Sequence, residues 1–292
     1  MKIKKGIFLY IAILAIFICI WIFKKQDMLS ETILHSDVVS FLLVVAIYLA
    51  SHIFRMLRLV LLSLNQRGSV IPLVAAHALT AFPSSLLMFK MGELLRLTSF
   101  VFALGEKRNA FSIWFIERMG DVSAITIFIL GLYILDIDVP SAMRSIFVIF
   151  VVISLVALLG IFAITKIFTF LNSYLVLESY SQRGLTLLKI SHFFREVESD
   201  IYAALKGRFI GFILVTLIIW ILEFFALSLF LKIILSYSVT FPDLFVSGLI
   251  GSLFASETTA ANFGLYQSVG LILISLASIL LVLPYSIKNF KS

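Results

Sequence analysis

Apolar stretches close to the thickness of a lipid bilayer recur along the chain from Ile7 to Tyr285, and they leave few folds open to it. A helix rises 1.5 Å per residue, so about 20 residues cover the ~30 Å of hydrocarbon. Six stretches have about that length, roughly 6–23, 38–62, 110–135, 145–166, 209–235 and 264–287. Hydrophobic residues make up 62% of the sequence against 13% charged, with a mean hydropathy of +1.14, which excludes a water-soluble core. The expected fold class is an all-α polytopic integral membrane protein, one membrane domain over residues 1–292. In hydrocarbon a helix satisfies its own backbone polar groups and an open strand does not.

Two intervals do not fit a simple span. Between about 70 and 104 an apolar run to Phe89 meets the polar knot Lys90-Met91-Gly92-Glu93, and between about 243 and 262 a short run breaks up at Ser256-Glu257-Thr258-Thr259. Both read as re-entrant helical hairpins, whose irregular backbone survives only where protein or water satisfies it; two short tilted spans are the alternative. A helix over about 183–206 carries Ile190, Phe193, Phe194, Val197, Ile201, Ala204 and Leu205 in one stripe, with Arg195, Glu196, Ser199 and Asp200 on other faces. Such a helix is expected along the cytoplasmic interface or packed beneath the bundle.

Charge sets the orientation. With the N-terminus inside, fourteen of the 23 basic residues fall on the cytoplasmic side and four (Lys24, Lys25, Arg144, Lys232) outside, which predicts an inner-membrane protein with both termini cytoplasmic. Residues 6–23 follow three lysines like a secretory signal, yet the run ends in Lys24-Lys25 without a small-x-small cleavage site and reads as an uncleaved first span. The net charge of +7 does not imply nucleic-acid binding, because no basic run with interleaved aromatics offers a groove. One cysteine, Cys19, and four scattered histidines give no metal-ligand spacing, so neither metal nor cofactor is expected.

The charges inside apolar segments point to function. Each costs roughly 2.5 kcal/mol or more at membrane depth, so such groups face a protein interior or a wet cavity and find partners. Arg55 and Arg58, three apart, share a face near the end of the second span and suit a phosphate or carboxylate, although snorkelling to the interface also accounts for them. Lys90, Glu93 and Arg96 surround Gly92 on the break of the first hairpin. Glu117 and Asp121 lie one turn apart, with Arg118 able to reach Asp121 at i, i+3, and their repulsion calls either for a cation such as Arg55, Arg58 or Arg96 or for a proton held by one of them. Glu223 stands alone in its span and is expected as a neutral acid, a candidate for proton relay or headgroup contact. Enzyme signatures are thin: Asp136-Ile137-Asp138 falls in a short turn with no soluble domain around it, and no nucleophile triad, phosphate loop or zinc spacing occurs.

Taken in order, Arg55-x-x-Arg58, Lys90-Met91-Gly92-Glu93-x-x-Arg96 and Glu117-Arg118-x-x-Asp121 resemble the motifs of the lysylphosphatidylglycerol synthase/flippase-like membrane family, over most of the chain. A late family motif aligns with Ala260–Gln267, agreeing at Gly264; Gln267 replaces its acid and Met88 stands where the earlier motif has proline. The resemblance implies a flippase-like transporter that binds or translocates a lipid with an anionic phosphate headgroup, aminoacyl-phosphatidylglycerol or a polyprenyl-phosphate-linked sugar. Its substrate-binding residues would be Arg55, Arg58, Lys90, Glu93, Arg96, Glu117, Arg118, Asp121, Glu223, Asn262 and Gly264. Larger relatives append a soluble aminoacyltransferase domain; without one, the chain is expected not to be an enzyme. The alternative is a non-transporting membrane subunit that presents a lipid-linked substrate to a lipid-modifying enzyme or glycosyltransferase partner.

Overall fold

Leucine, isoleucine, phenylalanine and alanine dominate the apolar runs and few glycines or prolines interrupt them, so helices form and continue well past the apolar stretches. The computed structural model describes residues 2–35, 38–87, 91–136, 141–178, 182–234 and 259–288. Among them are no strands, and the helices are α1 (Lys2–His35), α2 (Val38–Ser63), α3 (Val70–Leu86), α4 (Met91–Leu104), α5 (Lys107–Ile134), α6 (Ser141–Glu178), α7 (Gln182–Leu205), α8 (Phe209–Leu229) and α9 (Thr259–Lys288). A 3-10 segment, Leu64–Ser69, joins α2 to α3, and a π-turn, Phe230–Ile234, extends α8.

Among the described residues, three segments are long and apolar enough to cross a membrane: Phe8–Asp27, Val38–Gln66 and Phe209–Lys232. The expected span 6–23 lies in a much longer helix, because Lys24, Lys25 and Asp27 end the apolar run without breaking the backbone. The same holds for 145–166 within the 38 residues of α6. The first expected hairpin is two helices, α3 and α4, on either side of residues 88–90. Most of the second, with residues 235–258, lies outside the described residues, and its last positions already belong to the first turn of α9.

The chain divides into two compact units, and the boundaries fall within α2, α4 and α8 and after the first residue of α3. Unit 1 comprises Met1–Met56, Ile71–Ser99 and Ile218–Ser292. There α1 packs on α9, and Leu14, Ile18, Phe41, Val44, Phe82, Phe230 and Tyr266 belong to one buried cluster. Pro83 sits inside α3 and has no N–H for the carbonyl of Leu79, four residues earlier. Tyr10 of α1 supplies the missing donor, its hydroxyl 3.0 Å from the Leu79 oxygen. A proline in a buried helix is tolerated when a neighbour satisfies the freed carbonyl in this way. Next to it, Gly92 in the first turn of α4 rests on the backbone carbonyl of Ser84 so closely that a Cβ would overlap it.

Unit 2 comprises Leu57–Val70 and Phe100–Leu217. In this unit α5, α6 and α7 pack on one another, with Phe168 stacked on Phe194 at 5.7 Å between ring centroids. Packing of α7 against α5 and α6 agrees with the expected amphipathic helix, but its buried line runs through Ser191, Val197 and Ala204, while Ile190 and Phe193 are exposed. Glu196 and Asp200 are turned to Arg108 at the start of α5, at 2.9 and 2.7 Å. The hydrogen bond to Glu196, followed by that to Asp200, raises the Arg108 pKa, and the Arg108 hydrogen bond holds Glu196 below its ordinary 4.5. Glycines with positive φ, Gly105 (73°) and Gly207 (71°), end α4 and α7 in a conformation other residues adopt at a cost.

Candidate functional site

Six of the candidate residues form two sets of ion pairs, one in each unit. In unit 1, α2 presents Tyr48, Ser51, His52 and Arg55 along one stripe, the i, i+3, i+4, i+7 spacing of a helix face. Arg55 donates from Nη2 at 2.6 Å and from Nε at 3.0 Å to the same oxygen, Oε1, of Glu223 on α8. The Ser51 hydroxyl stands 3.3 Å from that oxygen. Glu223, which stands alone in its own span, thus has a partner in a guanidinium 168 residues away in sequence. The pair is not sealed, for the two side chains keep 11% and 19% of their exposure.

Unit 2 holds the other set. Arg58 donates from Nη1 to Asp121 Oδ1 at 2.7 Å and from Nη2 to Glu117 Oε1 at 3.2 Å. Thr216 gives its hydroxyl proton to the Phe212 carbonyl at 2.8 Å and accepts from Arg58 Nη1 at 3.3 Å. Arg118 approaches the second Asp121 oxygen at 3.4 Å, the i, i+3 contact expected of it. Among the described residues, two arginines here face two carboxylates, so their formal charges balance. Its centre is closed: Arg58 and Glu117 side chains are fully buried and Asp121 is 8% exposed. At Gly120, between these acids, a Cβ would lie 2.5 Å from Phe212 Cζ, so glycine is what lets α8 approach this close.

Arg55 and Arg58 share a helix but not a ligand. The cation demanded by Glu117 and Asp121 is Arg58, whereas Arg55 serves Glu223. Arg96 is buried on α4, and Glu93 is half-buried in the first turn of that helix. Lys90 lies outside the described residues; Asn262 and Gly264 belong to the first turns of α9.

Several polar groups beside these were not singled out from the sequence. His52 and His77, both buried, approach with ring centroids at 5.8 Å, and Tyr48 packs edge-on to His52 at 4.9 Å and to Tyr266 at 5.6 Å. The signal that flagged the charges, a polar side chain in an apolar run, applies equally to these histidines, but without ligand spacing they carried no motif. Thr216 had no such signal, since a threonine in an apolar helix often bonds only its own backbone. A cavity of about 130 Å³ in unit 2, lined in part by Asn65, Gln66, Asn109, Ser112 and Asp200, touches none of the candidate residues.

No protein-family model, curated protein or solved structure matches the chain.

Proposed function

We propose that the protein binds, and moves between leaflets, a membrane lipid with an anionic phosphate headgroup, as the motif resemblance to the flippase-like family suggests. The observation that carries this reading is the Arg55–Glu223 pair: a charge pair within apolar helices that retains partial exposure, in the same unit as the buried Arg96. An arginine fork engaged by a single carboxylate oxygen suits exchange, in which a phosphate takes over the guanidinium and releases Glu223. The enclosed Arg58 set is fit instead for holding helices in place. In this reading the chain has six spans and two re-entrant segments in the inner membrane, with both termini cytoplasmic.

The test is a dithionite-quench assay on liposomes containing the purified protein and fluorescent phosphatidylglycerol. Wild type should expose the inner-leaflet probe, and Arg55→Ala, Glu223→Gln and Arg96→Ala should each slow it at least tenfold. Wild-type rates in Arg55→Ala and Arg96→Ala would refute the assignment. The charge-balanced, closed Arg58 set favours a second reading, a static subunit that presents lipid to an enzyme partner. Tight probe binding with no movement between leaflets is the result specific to it.

A further inference from the structure

His52 is more than nine-tenths buried, and neither of its ring nitrogens has a hydrogen-bond partner among the described residues. An imidazole always carries one N–H donor, with either an acceptor or a second donor at the other nitrogen. Burying such a ring without a partner costs free energy, so the position calls for something that arrives. Around it are titratable and charged groups. His77 of α3 lies at 5.8 Å between centroids, tilted by 30°, and Tyr48 of α2 closes the other side. Arg55, one turn along α2, and Arg96 of α4 act on His52 electrostatically. Glu223 of α8 is held by Arg55, Tyr266 of α9 lies beyond Tyr48, and Tyr10 of α1 is engaged by Leu79.

We infer that the His52–His77 pair is a proton-binding site linked to anion binding at Arg55 and Arg96. The inference rests on the proposed headgroup binding and adds what accompanies it. Two imidazoles this close titrate together, so the pair takes up one proton as a unit. The imidazolium then adds one positive charge, an excess over the unprotonated state, in a buried place where Arg55 and Arg96 already act. A phosphate anion entering beside Arg55 compensates that excess, and a proton entering beside the phosphate is compensated in turn. Each ligand strengthens the other, as linkage requires. The lipid thus binds with a proton, and a proton gradient becomes able to drive its movement.

The experiment measures binding of fluorescent phosphatidylglycerol to the full chain in phosphatidylcholine nanodiscs, from mildly acid to mildly alkaline pH. Affinity should rise as pH falls, by up to about tenfold per unit for one linked proton. His52→Gln and His77→Gln should each flatten the profile at the wild type's alkaline value. A flat wild-type profile, or an unchanged slope in both variants, overturns the proton linkage while leaving headgroup binding standing. No binding at any pH overturns both. Should one variant fail to fold, a flat wild-type profile or an unchanged slope in the other variant still overturns the linkage.

Discussion

Arg58 and Asp121 meet at 2.7 Å in a place that water does not reach, with Glu117 on the other branch of the guanidinium. A buried ion pair gains little over a well-packed apolar core, but removing one partner strands the others. Arg58→Ala should therefore destabilise the protein by about 3–5 kcal/mol. The double variant Arg58→Met, Glu117→Gln, which leaves Arg118 opposite Asp121, should recover most of it. Thermal unfolding in detergent reads both, and a single variant that melts with wild type would show that the pair contributes nothing.

Tyr10→Phe removes only a hydroxyl, but it leaves the Leu79 carbonyl without the donor that Pro83 fails to provide. The expected cost is about 1–3 kcal/mol. In a Pro83→Ala background the helix supplies its own N–H, and Tyr10→Phe should then be nearly neutral. A double-mutant cycle with no coupling would contradict the assignment.

Gly120→Ala places a methyl against Phe212 and should cost about 1–3 kcal/mol. Shortening the obstacle with Phe212→Leu should relieve the clash. Unfolding of the single and double variants compares them.

The Arg108 contacts with Glu196 and Asp200 tie α7 to α5, and their pH dependence has a definite sign. Glu196 is held below its ordinary 4.5, so its contribution is complete above that value and disappears as pH falls through the lowered one. Hydrogen-exchange protection factors in α7 should fall in acid. Arg108→Gln should lower them already at neutral pH and reduce the further acid-dependent fall.

Local signals made part of this structure legible. The bounds of α2 and α7 match the apolar run 38–62 and the stripe 183–206 within a residue or so, because chemistry changes where these helices end. Glu117 and Asp121 on one face announced that a cation from elsewhere or a shared proton must relieve them, since two carboxylates one turn apart repel, but not which of the arginines it would be. The partner of Glu223 was not legible, for nothing near it in the chain indicates which helix it faces. Nor were the ends of α1 and α6, because hydropathy reports the solvent around a helix rather than its hydrogen bonding. The facing of His52 and His77 depends on how α2 and α3 are rotated, which no local pattern encodes.

Where α4 begins, glycine meets a main-chain oxygen rather than another side chain. Such a joint offers mutation nothing to trim on the opposite surface. In a library randomised over residues 91–96 and selected for intact protein, position 92 should return glycine almost alone. Exposed Met91 and Leu94 should tolerate wide replacement.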